Sequence, residues 1–235
     1  LIINLWSTPR TGSVWYSYHL QKQLSPCILL SEPFNRYHMN LYHRIENDTI
    51  KNYHEYIPGS FYKNYIWEDQ KILTERTFQP RTRNAEEEET YIISLLEKID
   101  DHSNYIIHSH VSPMCPTVLD KLMAIGKNIF IYRKDKLAQL ASYAIAYETK
   151  EFVRFTKKEG IEKKVRIQDL EPIKNLIKRI KVWESLPKEN IIAYEDIKFY
   201  EQNGMPIKQN IDYSKILDNE SIYQIKIILE KEYYN

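Results

Sequence analysis

The chain has 235 residues, enough for one domain with a substantial core or one domain carrying a sizeable insertion. Its 33 basic and 32 acidic side chains nearly cancel, so no overall field directs it to nucleic acid. No run of about 18 apolar residues marks a membrane span, and no signal-peptide pattern is present. Cys27 and Cys115 lie far apart and form no C-x-x-C unit, which favours two buried thiols in a reducing compartment over a disulfide. The expectation is therefore a soluble, cytoplasmic chain. It opens on Leu1, already inside a strand, which leaves room for a few residues or a leader removed ahead of it. Nineteen tyrosines against five glycines is an unusual ratio, but coding bias produces the same enrichment, so the tyrosines carry no functional weight as a class.

In chain order, Leu1 to Leu5 is apolar apart from Asn4 and predicts a buried strand, and a helix is predicted from Ser13 to Leu24. Between them lies Ser7-Thr8-Pro9-Arg10-Thr11-Gly12-Ser13. A tight turn from strand to helix aims several backbone N–H groups and the positive end of the helix dipole at one spot. Arg10 adds a fixed cation, Thr11 and Ser13 add hydroxyls, and Gly12 permits close approach of an anion to the backbone. The segment reads as a phosphate cradle, although Pro-Arg-Thr-Gly-Ser is also a sound turn with a serine cap. It is not the nucleoside-triphosphate loop G-x-x-x-x-G-K-[ST], whose second glycine and lysine are absent.

A second strand, Cys27 to Leu30, ends at Ser31-Glu32-Pro33-Phe34, where Pro33 holds Glu32 extended. Because strand carboxyl ends line the ligand crevice of a parallel α/β sheet, Glu32 would share a rim with Arg10 and could serve as general base, or simply form a surface salt bridge. Residues 35–85 show little periodicity, and 35–104 are expected to form a helical or irregular insertion covering an active site. His38, His43 and His54 lack the i, i+4 spacing of a helical metal pair, so no metal site is expected there. Glu86 to Glu89 reads as the acidic first turn of a solvated helix.

Tyr105 to His110 predicts a third strand with His108 and His110 on one face, and a helix over Pro116 to Gly126 follows. Asn128 to Arg133 is the next strand, and Asp135 caps a helix from Lys136 to about Thr149 that carries Ser142. Taken alone, Arg133 reads as a surface salt bridge and Ser142, nine residues later, as a helix serine, although an arginine could offer a forked cation and the serine a neutral donor to a terminal phosphate. Asp169 to Leu186 is an amphipathic helix, Asn190 to Asp196 a last strand ending Tyr-Glu-Asp, and Asn219 to Glu232 a closing helix. Strands alternating with helices predict an α/β domain with a central parallel sheet.

Two motifs together carry a family resemblance. Thr8-Pro9-Arg10-Thr11-Gly12-Ser13 resembles the loop with which sulfotransferases hold the 5′-phosphosulfate of 3′-phosphoadenosine-5′-phosphosulfate (PAPS), and Arg133 to Ser142 resembles their grip on its 3′-phosphate. Glu32-Pro33-Phe34 resembles the bacterial carbohydrate-type enzymes, in which a glutamate in this region is the proposed base. Ser109-His110 resembles the end of the Lys-Thr-His triplet of cytosolic members, with His108 in place of the lysine. Tyr194-Glu195-Asp196 also recurs in the family, chiefly as a structural element. The glycine-containing loop that covers the 3′-phosphate in many cytosolic members has no counterpart.

The resemblance spans Leu1 to Phe34 and Tyr105 to about Ile197 and implies a single three-layer domain of the P-loop type over 1–235. It further implies transfer of a sulfuryl group from PAPS to an acceptor hydroxyl or amine, carbohydrate among them, leaving adenosine 3′,5′-bisphosphate (PAP). Arg10, Thr11, Gly12, Ser13 and Val14 would hold the phosphosulfate, Arg133 and Ser142 the 3′-phosphate, and Glu32 or else His110 would take the acceptor proton, with Arg10 stabilising the leaving phosphate. No metal is required by this scheme. A small-molecule or nucleotide kinase of P-loop type, and a silent nucleotide-binding protein of the same fold, are the competing readings.

Overall fold

The computed structural model describes residues 1–24, 27–31, 104–110, 116–149, 164–200 and 212–235. Glu32 and all of the expected insertion except Asn104, with it the acidic helix start at Glu86, lie outside the described residues. The elements are β1 (Ile2–Ser7), α1 (Ser13–Gln23), β2 (Cys27–Ser31), β3 (Asn104–His110), α2 (Pro116–Ala124), β4 (Lys127–Tyr132) and α3 (Lys136–Thr149). They continue with α4 (Glu171–Ser185), β5 (Ile191–Ala193), a 3-10 turn (Tyr194–Asp196), the short α5 (Tyr213–Ile216) and α6 (Asn219–Leu229), which runs on as a π-type turn over Glu230–Tyr234. No helix among the described residues is long and apolar enough to cross a membrane.

The strands form one sheet in the order β2-β3-β1-β4-β5, with every pairing parallel. A parallel sheet covered on both faces needs strands that are apolar nearly throughout, and β1 satisfies this on each side. Ile3 and Leu5 join Leu29, Ile107, Ile129 and Ile131 in a core shared with Trp15, Tyr18 and Leu20 of α1. Cys27 lies in the same core, where burial pushes its thiol up to about 11.

The opposite face holds the one polar residue of the first strand. Asn4 donates to the carbonyls of Leu122 (2.7 Å) and Ile125 (2.5 Å) at the end of α2, the first of which also accepts from Ile125 N at 3.2 Å. Asn128 completes the tie, accepting from Trp6 Nε1 at 2.8 Å and donating to Met123 O at 2.8 Å. Gly126 closes the turn after α2 at φ 73°, where a Cβ would run into the Ile2 carbonyl. Farther along this face Phe130 meets Trp183 of α4 edge-on. A second core joins Leu140, Ala144 and Ile145 of α3 to Ile173, Leu176, Ile177 and Ile180 of α4 and to Ile225, Ile228 and Leu229 of α6.

The last strand is shorter than its apolar run predicts. It ends at Ala193, and Tyr194–Asp196 turn as a 3-10 helix. The side chains explain the difference: Glu195 is drawn to the amides of Lys134 and Asp135 (3.0–3.2 Å), and Asp196 to the Lys134 ammonium (3.2 Å). The topology places the crevice as well. From β1 the chain leaves for β2 on one side of the sheet, whereas from β4 it leaves for β5 on the other. Ligand crevices of open α/β sheets form at such a switch, outside the carboxyl ends of the strands.

Candidate functional site

The loop between β1 and α1 is built around two left-handed residues. Gly12, the N-cap of α1, has φ 71° and adopts it without cost, but Arg10 has φ 68°, a conformation that costs a side-chain-bearing residue about 1–2 kcal/mol. The surrounding bonds hold it there. Thr11, fully buried, donates its hydroxyl to Thr8 O at 2.9 Å and closes the turn from within. Gln139, buried in α3, donates to Thr8 Oγ1 (2.9 Å) and Pro9 O (2.7 Å) and braces the loop from the neighbouring helix.

The two arginines expected at opposite ends of a ligand stand on one rim. Arg10 Nε donates to Ser142 Oγ at 2.9 Å, and Arg133 Nη1 reaches Arg10 O at 3.5 Å. Arg133 also lies over the Tyr194 ring, its guanidinium carbon 4.6 Å from the ring centre. The Tyr194 phenol reports both cations: burial pushes its pKa up, and the Arg133 and Arg10 charges pull it partly back. Arg133 Nε is buried with no hydrogen-bond partner among the described residues, a charged donor that the fold leaves unsatisfied. The resemblance pairs Ser142 with Arg133; in the structure its hydroxyl accepts from Arg10, so that α3 anchors this arginine of the β1–α1 loop.

The cradle hydroxyls serve differently from expectation. Thr11 is engaged within its own turn, and Ser13, the first residue of α1, is buried with Oγ 3.0 Å from His108 Nε2. The donors that face outward by helix geometry are therefore the backbone N–H groups of the first turn, including that of Val14. Val14 itself packs its side chain at the edge of the core. The glycine meets a different neighbour from the one expected: a Cβ at Gly12 would lie 2.9 Å from both Phe199 Cζ and Tyr194 Cδ2, so its bareness admits two aromatic rings. Tyr194 thus walls the site, touching Gly12 on one side and Arg133 on the other.

Across the sheet, β3 brings its histidines to β1 in register, Leu5 beside His108 and Ser7 beside His110. His108 is fully buried; His110, half-buried, has Nδ1 2.9 Å from Ser7 Oγ. His110 thus stands on the same strand-end rim as the cradle, while Glu32, the other expected base, lies outside the described residues.

Gln139 escaped sequence reasoning, and one signal could have found it. Gln139 and Ser142 stand three residues apart as polar positions in an otherwise Ala- and Leu-rich stretch of helix, and both turn toward the loop. Compared with family models, with curated proteins and with solved structures, the chain matches none.

Proposed function

We propose that this chain is a sulfotransferase of the P-loop type, moving a sulfuryl group from PAPS to an acceptor hydroxyl or amine. The observation that carries the reading is the shared rim. A doubly anionic nucleotide needs a cation at each end, and Arg10 and Arg133 flank one crevice at the switch between β1 and β4. The residues present fit such a donor in a second respect, since Arg133 Nε has no hydrogen-bond partner among the described residues, and an anion beside this guanidinium would complement its charge.

In this scheme the first-turn amides of α1 and the Arg10 guanidinium bind the phosphosulfate end and stabilise charge on the departing phosphate. Arg133, held by the Tyr194 ring, takes the 3′-phosphate, and Ser142 keeps Arg10 aimed. As the sulfur–oxygen bond to phosphate breaks and that to the acceptor forms, Glu32 or His110 receives the acceptor proton.

Calorimetry with PAP beside ATP tests the reading directly. Tight binding of PAP with weak binding of ATP is expected; the reverse preference transfers the site to a kinase. Transfer of labelled sulfate into a panel of sugars, phenols, lipids and peptides then separates an enzyme from a silent binding protein. For the base, Glu32→Gln should lower turnover by roughly two to four orders of magnitude with PAP affinity nearly unchanged. Unaltered turnover in that variant assigns the role to His110.

A further inference from the structure

Glu195 stands at the join between the two segments that build the Arg133 end of the crevice. It follows Tyr194 in the 3-10 turn, which Ile197 N closes by donating to Tyr194 O at 3.2 Å. Its carboxylate accepts from Lys134 N through both oxygens, at 3.0 and 3.1 Å, and from Asp135 N at 3.2 Å. Lys134 in turn follows Arg133, just past the end of β4. The residue next to the ring thus grips the residue next to the guanidinium, and those two groups are the ones in contact, 4.6 Å from guanidinium carbon to ring centre. Consecutive Cα atoms are about 3.8 Å apart, so neither group moves far while this grip holds. The bond from the guanidinium to the β1–α1 loop is longer, 3.5 Å from Nη1 to Arg10 O, beyond the usual range of an N–H donor.

We infer that Glu195 is a positioning residue whose carboxylate, through the Lys134 and Asp135 amides, holds the Tyr194 ring against the Arg133 guanidinium and so aims that cation at a terminal phosphate. Hydrogen bonds to an ionised acceptor are roughly twice as strong as neutral ones, and two amides converge on this one carboxylate. The neighbouring Lys134–Asp196 ion pair is the weaker candidate for the tie, because its side chains are 53% and 66% exposed and such pairs contribute little. The consequence for the ligand rests on the sulfotransferase reading, in which Arg133 takes the 3′-phosphate; the seating of the guanidinium on the ring does not.

Two variants separate the acceptor from the charge. Glu195→Gln keeps an oxygen where Oε1 accepts from both amides, whereas Glu195→Ala leaves them bare. The Glu195 side chain is exposed, so neither substitution disturbs the core. The first readout needs no ligand. The Arg133 Nε–H signal in nitrogen–proton spectra of arginine-labelled protein, assigned by its loss in Arg133→Lys, should be displaced by the Tyr194 ring current and return to the ordinary arginine position in Tyr194→Leu. Glu195→Ala should return it as well, and Glu195→Gln should keep it displaced. The second readout is calorimetry with PAP and with adenosine 5′-monophosphate, which lacks the 3′-phosphate. Glu195→Ala should weaken PAP at least about tenfold and the monophosphate less than about twofold, with Glu195→Gln near wild type for both. A signal unmoved in Glu195→Ala overturns the inference, as does a Glu195→Gln variant that behaves like Glu195→Ala. An equal loss of the two nucleotides, the mark of a merely structural role, overturns it too. Displacement lost in Asp196→Ala rather than in Glu195→Ala gives the tie to the ion pair instead. Wild-type protein that binds neither nucleotide defeats the sulfotransferase reading, while the spectra still decide what seats Arg133.

Discussion

Gly12→Ala is the substitution whose outcome the structure constrains most closely. The residue sits at φ 71°, where an L side chain costs about 1–2 kcal/mol. The new methyl carbon would also lie 2.9 Å from Phe199 Cζ and Tyr194 Cδ2, and relieving such contacts costs about 1–3 kcal/mol. Phe199 presents only the tip of its ring and can swing, which favours the lower part of that range. Alanine returns about 0.4–1 kcal/mol by stiffening the unfolded chain. The net destabilisation is about 2.5 kcal/mol, which for a domain of this size lowers Tm by about 8 °C. Thermal melts followed by circular dichroism measure it. Because the displaced Tyr194 ring also supports Arg133, affinity for PAP should fall together with stability. A melting temperature within about a degree of wild type would refute the packing of both rings on the glycine.

Three further outcomes follow from the same contacts. Ser142→Ala removes the acceptor of the Arg10 guanidinium and should weaken PAP binding by up to about 10- to 150-fold by calorimetry, as expected for a charged hydrogen bond; unchanged affinity would show that the tether does not aim the arginine. Arg133→Lys keeps the charge but loses the planar fork stacked on Tyr194, so PAP affinity should drop at least about tenfold, and a wild-type value would remove the fork from the site. Asp218 caps α6 by accepting from Ser221 N at 2.8 Å, and its hydrogen bonds to Ser221 hold its carboxyl below 3.8. A depressed folded pKa contributes stability that is full above the unfolded value and is lost as pH falls through the folded one. The stability advantage of wild type over Asp218→Asn should therefore shrink only below about pH 4 in urea titrations, and a gap constant down to pH 2 would contradict it.

What could be read from the sequence depended on whether the information was local. The helix from Lys136 to Thr149 was legible to the residue, because Asp135 caps it by accepting from Ala138 N and Ala and Leu fill its interior. The turn from β1 into α1 was legible because strand, turn and helix are contiguous. The partners of the site residues were not, since they depend on register between distant segments. Ser142 could be placed on a helix near Arg133, but only the packing of that helix against the loop brings its hydroxyl to Arg10. Nor does any pattern in Tyr-Glu-Asp announce that its carboxylates would outcompete the strand ladder and turn the chain, which swings Tyr194 over the glycine. His108 read as a lysine replaced; the register of β3 against β1 places it opposite Leu5, fully buried.

Glu195 has a consequence for how the rim can be used. Two helices begin there, α1 after β1 and α3 after β4, and each would ordinarily offer bare amides to an incoming anion. At α3 the protein has supplied its own: the Glu195 carboxylate covers Lys134 N and Asp135 N, and Asp135 covers Ala138 N. Glu195 and Asp135 thus occupy three amides in and just before the start of α3. The two helix starts on this rim are therefore unequal, one of them already carrying two of the protein's own carboxylates.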